Sequence, residues 1–277
     1  MNISLSGSNI FQAGQSVFEY AITPTGAVAL SGYDSGWSAN DPIATKARSA
    51  AVDSQLAQQY SNLLMQAFAN DKRSALDAYG VFAGATSGAL PSGATFPSTP
   101  LGPELQMIAK TIAGRNGLGV TRQTFFVQLG GWDHHDDVIG NQAAMLPYVS
   151  SAVGAFYNAL TLLGIQNQVT LFTASDFGRT LTSNGKGSDH AWAGNHFVVG
   201  GGVNGKRIYG QYPSLYLDNP VDVGRGRLIP TTSADEYFAE MALWLGVSKT
   251  NLPLVLPNIG NFYDTSSSSP PLGFLLS

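Results

Sequence analysis

The sequence has 277 residues, no cysteine and a formal net charge of −4, with 12% charged and 44% hydrophobic residues. The lack of cysteine excludes disulfides and thiolate metal ligands, and the acidic balance offers no basic face to nucleic acid. No run of about 18 apolar residues predicts a membrane span, and the low charged fraction suits a loop-rich enzyme or a secreted protein.

The first predicted elements are a strand, a surface excursion and a long helix. Residues 2–6 alternate weakly in polarity before Gly7, which predicts a strand that ends in a turn. The glycines and short apolar pairs of residues 10–40 predict a surface excursion with small hairpins. A helix is then predicted over about Ile43–Tyr79.

This long helix has both a start signal and an apolar stripe. Asp41 can cap its first turn, and Pro42 suits its first position. Apolar residues at helical spacing predict that one face is buried in the core, namely Leu56, Tyr60, Leu63, Leu64, Ala67 and Phe68. Residues 80–100, which consist mostly of Gly, Ser, Thr, Pro and Ala, predict a flexible insertion loop.

The second half of the chain alternates helices and strands. The apolar pattern predicts helices at about 102–113 and 141–163 and buried strands at 124–129 and 169–173. Strand, helix and strand at 124–173 form a βαβ unit, which implies a parallel pair joined by a right-handed crossover.

The C-terminal part contains a third strand at 197–199 and a last helix. Ser233 and Glu236 form a capping-box pattern at the start of that helix, and Gly246 ends it. The Ser- and Pro-rich tail at 266–277 is predicted to be mobile. We therefore expect one α/β domain over residues 1–277, with a mostly parallel central sheet flanked by helices.

Two common motifs are excluded. Gly200, Gly202 and Gly205 match a G-x-G-x-x-G string after a strand, but the strand-like run at 206–210 leaves no helix to receive a pyrophosphate. We interpret these glycines as a tight hairpin. The sequence also lacks the G-x-S-x-G nucleophile elbow of a serine α/β-hydrolase.

All four histidines and five aspartates lie between residues 133 and 196. They fall in two stretches, each of which begins where a predicted strand ends. The crevice beyond the carboxyl ends of strands is where α/β sheets bind ligands. Imidazole and carboxylate gathered there have the ligand chemistry of a zinc, manganese or iron site. Adjacent histidines point in different directions, so of His134 and His135 we expect one to be a ligand.

Other acidic residues of these stretches have alternative roles. Asp136 and Asp137 either orient an imidazole or form an acidic pair that favours the N-terminal end of the next helix. Asp176 is either a metal ligand or a structural cap. Arg179 either binds an anionic ligand through two hydrogen bonds or pairs with Asp176.

Several short motifs, in order along most of the chain, resemble one bacterial family of unknown function. They are Gly-Gly-Trp-Asp-x-His at 130–135, Ser-Asp-Phe-Gly-Arg-Thr at 175–180, Asp-His-x-Trp-x-x-x-His at 189–196, Pro-Thr-Thr-Ser at 230–233 and Trp-Leu-Gly-Val at 244–247. Members of the family are often exported by a twin-arginine signal, and they are sulfatase-like members of the alkaline phosphatase superfamily. Ala191 stands where the family usually has Gly.

The resemblance implies an alkaline phosphatase/sulfatase-like α/β sandwich with a two-metal centre of divalent ions, zinc, manganese or calcium. It implies that Asp133 and His135 bind one metal, that Asp176 binds the second, and that His190 and His196 complete the shells. Asp189 would be a further ligand or a partner of one. The expected catalytic residues are Asp133, Asp176 and Arg179.

We therefore predict a metal-dependent hydrolase of phosphate or sulfate esters. Its substrate would be a small anionic ester or a sulfated or phosphorylated glycan, and we expect a periplasmic or secreted protein that is able to form homo-oligomers. The alternatives are a carboxylesterase or glycosidase that uses the same crevice, and a non-catalytic binding protein that retains the fold.

The resemblance also indicates what the chain lacks. Nothing before Asp133 matches the Gly-Gly-Asn-Asp-type loop of the family, which lies near the expected nucleophile. We thus expect the C-terminal part of a longer family protein, or a naturally shortened one, whose sheet lacks an N-terminal strand and whose turnover is weak.

Overall fold

Two groups of elements form the structure, a computed structural model that describes residues 1–14 and 19–275. Unit 1 comprises Met1–Ser92 and Phe96–Leu129, and unit 2 comprises Gly93–Thr95 and Gly130–Ser277. Both combine helices with strands, so the chain belongs to the α/β class. The expected excursion at 10–40 and the expected mobile tail each include residues outside the described ones, 15–18 and 276–277 respectively.

Unit 1 contains a four-stranded mixed sheet. Its strands are β1 (Asn2–Ser4), β2 (Tyr20–Thr23), β3 (Gly26–Ala27) and β4 (Thr124–Phe126), in the order β3-β2-β1-β4. β1 is parallel to both β2 and β4, whereas β2 and β3 are antiparallel. Ile3 pairs with Phe125 and is fully buried. The predicted first strand is thus confirmed and lies inside the sheet.

Three helices complete unit 1, namely α1 (Ile43–Leu56), α2 (Leu63–Thr86) and α3 (Leu101–Ala113). The prediction of one helix at 43–79 was wrong, because the chain leaves the helix after Leu56 and Asn62 caps α2. The Asn62 side chain accepts hydrogen bonds from the amides of Leu64 and Met65, at 3.0 and 3.2 Å. α2 also extends into the segment that was predicted as a loop.

The expected cap of α1 and the expected buried stripe were also wrong. Asp41 makes no side-chain bond to α1, and its carboxylate instead accepts a hydrogen bond from the Ser38 amide. Leu63, Leu64 and Phe68 are 85%, 81% and 70% exposed. α2 buries residues of its later turns, Ala69, Leu76, Phe82 and Thr86. In α3, which confirms the helix predicted at about 102–113, an apolar face is buried that includes Leu105, Ile108, Ala109 and Ile112.

Unit 2 begins with the long helix α4 (Val138–Leu162), which confirms the helix predicted at 141–163. Its strands form two antiparallel pairs, β5 (Leu171–Phe172) with β8 (Val198–Val199) and β6 (Gly178–Ser183) with β7 (Ser188–Ala191). The expected parallel pairing of β4 with β5 was wrong. β4 pairs with β1 in unit 1, and β5 is a two-residue strand that pairs with β8.

The glycines after β8 do not form the expected hairpin. Val203 makes an isolated antiparallel bridge with Leu275, and residues 206–210 form no strand. The glycines instead permit a close approach to the chain at 166–170. A Cβ atom added to Gly200 would lie 2.6 Å from the carbonyl oxygen of Val169, and one added to Gly201 would lie 2.1 Å from Oδ1 of Asn167.

The C-terminal helices are α5 (Ala234–Leu245) and the short α6 (Leu252–Val255), with 3₁₀ turns at Gln166–Gln168, Lys249–Asn251 and Ile259–Asn261. The capping box is confirmed, since Ser233 and Glu236 each accept from the other's backbone amide. Buried residues of this region form one apolar cluster, Ala239, Leu252, Ile259 and Tyr263. In the part of the chain that the structure describes, no helix has both the length and the apolar character that crossing a membrane requires.

Candidate functional site

The histidine- and aspartate-rich stretches meet in unit 2, where the loop at 130–137 contacts the β6–β7 hairpin. Asp137 ends this loop with a left-handed φ of 43° and caps α4 by accepting from the Gly140 amide at 3.2 Å. Its own amide donates to the carbonyl of Lys186 at 3.0 Å. Asp137 is therefore the N-cap residue of α4.

Arg179 of β6 holds this loop against the hairpin. Its Nη1 atom donates to the carbonyls of His134 and Ser188, and its Nη2 atom donates to the carbonyl of Trp132. The guanidinium also lies over the ring of Phe177, with Cζ 5.2 Å from the ring centroid. Among the described residues Arg179 makes no ion pair with Asp176. Its hydrogen bonds position the loop.

Two histidines from the two stretches lie side by side. The rings of His135 and His190 stack with centroids 4.7 Å apart. The His190 ring also stacks on Phe177, with centroids 3.7 Å apart and planes inclined by 7°. Both histidine residues are exposed to solvent. The structure thus joins one imidazole from the loop at 130–137 with one from β7.

Asp189, beside His190 on β7, is held by two side chains. Nδ2 of Asn184 donates to its Oδ1 at 2.8 Å, and Arg225 pairs with its Oδ2 at 2.6 Å. These contacts, with that to Asn184 the largest, lower the pKa of the Asp189 carboxyl, and His135 adds to the effect. Asn184 also donates to the carbonyl of His135 at 3.1 Å, so Asp189 and His135 share one support.

A surface pocket of about 300 Å³ opens beside His190. Its lining consists of Asp176, Phe177, His190, Ala191, Trp192 and Arg227. The Asp176 side chain makes no hydrogen bond or ion pair with the described residues, so its carboxylate is available to a ligand. Trp192 is 66% exposed. The pocket therefore combines a carboxylate, an imidazole, a guanidinium and aromatic surface.

Two predicted site residues, Asp133 and His196, make no hydrogen bond or ring contact with His135 or His190 among the described residues. Asp133 is exposed and has no polar partner among the described residues. His196 stacks on Tyr237 of α5, with ring centroids 5.8 Å apart. Although His196 reaches solvent, the surrounding protein desolvates it and lowers its pKa. Burial raises the pKa of Tyr237, whose hydroxyl donates to the carbonyl of Thr173 at 3.0 Å.

Two further observations concern the expected metal site. Nε2 of His134 is buried and has no hydrogen-bond partner among the described residues. Across residues 1–14 and 19–275, no three His, Asp or Glu side chains surround a common point in a way that could hold a metal ion. The donor chemistry of His135, His190 and Asp176 still matches that of zinc and manganese ligands.

Sequence reasoning missed four contributors to the site, Phe177, Asn184, Arg225 and Arg227. Phe177 lies in the motif at 175–180, and Asn184 lies between that motif and the one at 189–196. The two arginines lie in the Asp-Val-Gly-Arg-Gly-Arg run at 222–227. An aspartate followed by alternating glycines is a signal for a tight loop. The run predicts such a loop, but nothing in it indicates that the loop reaches the histidines.

Residues 34–230 match the model of a protein family described as Protein of unknown function (DUF1501). The chain belongs to this family. The matched region includes every predicted site residue and the 222–227 run. No curated protein and no solved structure matches the chain.

Proposed function

We propose that this DUF1501 chain is a metal-dependent hydrolase of phosphate or sulfate esters. The observation that carries the proposal is that Asp176, His190 and Arg227 line one pocket, with His135 stacked on His190. Imidazole and carboxylate are the ligands that hydrolytic metal ions use, and a guanidinium suits an anionic substrate.

The proposal assigns the metal to His135 and His190, whose rings stack 4.7 Å apart, with Asp176 of the neighbouring pocket as a third ligand that would have to move towards them. A zinc or manganese ion held there would supply Lewis acidity to an ester oxygen and lower the pKa of water. Asp189 would support His135 from beside it, because Asn184 links the Asp189 carboxylate to the His135 backbone. Arg179 would keep the loop that carries His135 against β7 through its bonds to the backbone carbonyls.

The proposal extends to fold and location. An alkaline phosphatase/sulfatase-like arrangement is supported by the parallel pairing of β1 with β2 and β4. A periplasmic or secreted location is supported by the low charged fraction of 12%.

The test measures metal content and turnover in the same samples. Protein purified without chelator is expected to retain zinc or manganese and to hydrolyse 4-nitrophenyl phosphate or 4-nitrophenyl sulfate. His190→Ala and Asp176→Ala should lose both properties, because each removes a ligand, whereas the exposed aspartate variant Asp71→Ala in unit 1 should keep them. Equal, near-zero metal content and no turnover in wild type and variants would refute the proposal.

A further inference from the structure

The loop at 218–228, here called the arginine loop, brings two arginines to the site. Its conformation depends on the carboxylate of Asp222, which accepts hydrogen bonds from the amides of Asp218, Gly224 and Gly226, at 2.9, 2.8 and 3.0 Å. Asp218 and Arg225 have left-handed φ values of 59° and 63°. Because one carboxylate satisfies several amides, the loop has a defined shape despite its exposure.

The arginine loop rests on the hairpin that carries His190. The amide of Leu181 donates to the Gly226 carbonyl at 3.1 Å, and Oγ1 of Thr182 donates to the Arg225 carbonyl at 2.8 Å. A Cβ atom added to Gly226 would lie 2.4 Å from Cβ of Leu181, so the approach requires glycine. The arginines are therefore placed by the backbone.

The two arginines of the loop differ in whether a carboxylate pairs with them. Arg225 pairs with Asp189 at 2.6 Å. Arg227 is fixed by its own loop, since Nε donates to the Gly224 carbonyl at 2.9 Å and Nη2 donates to the Val223 carbonyl at 3.1 Å. No carboxylate of the described residues lies within ion-pair distance of Arg227. The loop thus orients the Arg227 guanidinium at the pocket, and no described carboxylate pairs with it there.

Trp192 supplies a different kind of surface to the same pocket. Its side chain is 66% exposed and lines the same pocket as Asp176 and Arg227. An aromatic face carries a negative quadrupole, which attracts the weakly positive C–H groups of a sugar ring. An oriented guanidinium and an exposed indole in one pocket therefore suit a molecule with an anionic group on a sugar ring.

We propose that Arg227 and Trp192 determine the specificity of this pocket for sulfated or phosphorylated sugars. Arg227 binds the anionic group through charge-assisted hydrogen bonds, and Trp192 packs against the ring. This inference rests on the proposed function, because it takes the same pocket as the ester-binding site. It adds two residues that the predicted ligand set does not contain.

The test measures binding without turnover. Dissociation constants for glucose 6-sulfate, glucose 6-phosphate, glucose and phenyl phosphate are obtained by NMR titration in the presence of chelator. Arg227→Gln should weaken binding of both anionic sugars about tenfold or more and leave glucose unaffected. Arg227→Lys keeps the charge and should recover part of that loss. Trp192→Ala should weaken all three sugars by about threefold or more.

Arg207→Gln is the matched control, since Arg207 is an exposed arginine of unit 2 that does not line the pocket. It should leave every dissociation constant unchanged. The inference is overturned by an equal loss in Arg227→Gln and Arg227→Lys, by wild-type binding of phenyl phosphate alone, or by no wild-type binding of either anionic sugar.

Hydrolysis assays on the same protein variants, with chelator removed and zinc or manganese added, separate this inference from the proposed function. If the sugars bind as described but no divalent metal supports ester hydrolysis, the hydrolase proposal fails and the binding site stands. If the wild type hydrolyses aryl esters while Arg227→Gln keeps its affinity for the anionic sugars, the function stands and the inference is wrong.

Discussion

The guanidinium of Arg179 donates a hydrogen bond to the backbone carbonyl of His134, although the two residues are 45 positions apart in the chain. The same side chain also serves the carbonyls of Trp132 and Ser188. Arg179, for which binding of an anionic ligand was one of two predicted roles, is thus occupied in joining the loop at 130–137 to the hairpin.

This relationship predicts a loss of stability in Arg179→Met. Three backbone carbonyls lose a charged donor, so we expect the free energy of unfolding to fall by about 2–4 kcal/mol in urea titrations. Arg207→Met, at an exposed arginine that makes no such bonds to the described residues, should change it by less than about 0.5 kcal/mol. An unchanged stability together with a raised KM would instead make Arg179 a substrate-binding residue.

The two adjacent histidines predict a ranking of metal retention. His135 stacks on His190, whereas Nε2 of His134 is buried and has no hydrogen-bond partner in the part of the chain that the structure describes. If the proposed ligand set is correct, His135→Ala should weaken zinc binding at least about tenfold, because a ligand is lost, and His134→Ala should leave it nearly unchanged. Competition with a chromophoric chelator measures both values. The reverse ranking would identify the enclosed nitrogen of His134 as the ligand.

The arginine loop should depend on pH through Asp222. Hydrogen bonds from backbone amides, that of Asp218 first, hold the pKa of the Asp222 carboxyl below its usual 3.8. A pKa that is lower in the folded state means that the ionised carboxylate stabilises the loop above the usual pKa. This stabilisation is lost as the pH falls through the lowered value.

We therefore expect the amide chemical shifts of Gly224 and Gly226 to change together at a pH below 3.8, the usual value. Asp222→Asn should abolish that transition, because its amide oxygen accepts hydrogen bonds without titrating. A transition that persists in Asp222→Asn would show that another group controls the loop.

Two phenylalanines of α2 allow a matched comparison. Phe68 is 70% exposed and Phe82 is 1% exposed. Phe68→Ala should change the free energy of unfolding by less than about 0.5 kcal/mol, whereas Phe82→Ala should lower it by about 3–5 kcal/mol because it opens a cavity. Chemical denaturation of both variants gives the two values. Similar losses would mean that Phe68 is covered in solution.

Features that depend on residues close together in the sequence could be predicted. The capping box of Ser233 and Glu236 and the buried face of α3 follow from interactions within one or two helical turns. The prediction that the stripe with Leu63, Leu64 and Phe68 is buried was wrong, because burial does not depend on local sequence alone. Periodicity decides which side chains share a helix face, but whether other elements cover that face depends on distant parts of the chain.

The sequence by itself determined that imidazoles and carboxylates concentrate in two stretches of the chain and which residue types can bind metal or an anion. Only the tertiary structure decided which of them meet. It stacked His135 on His190, paired Asp189 with Arg225 across 36 positions, and gave Arg227 no carboxylate partner among the residues that the structure describes. These outcomes depend on strand pairing and loop docking between distant segments, and local propensity carries no information about such long-range contacts.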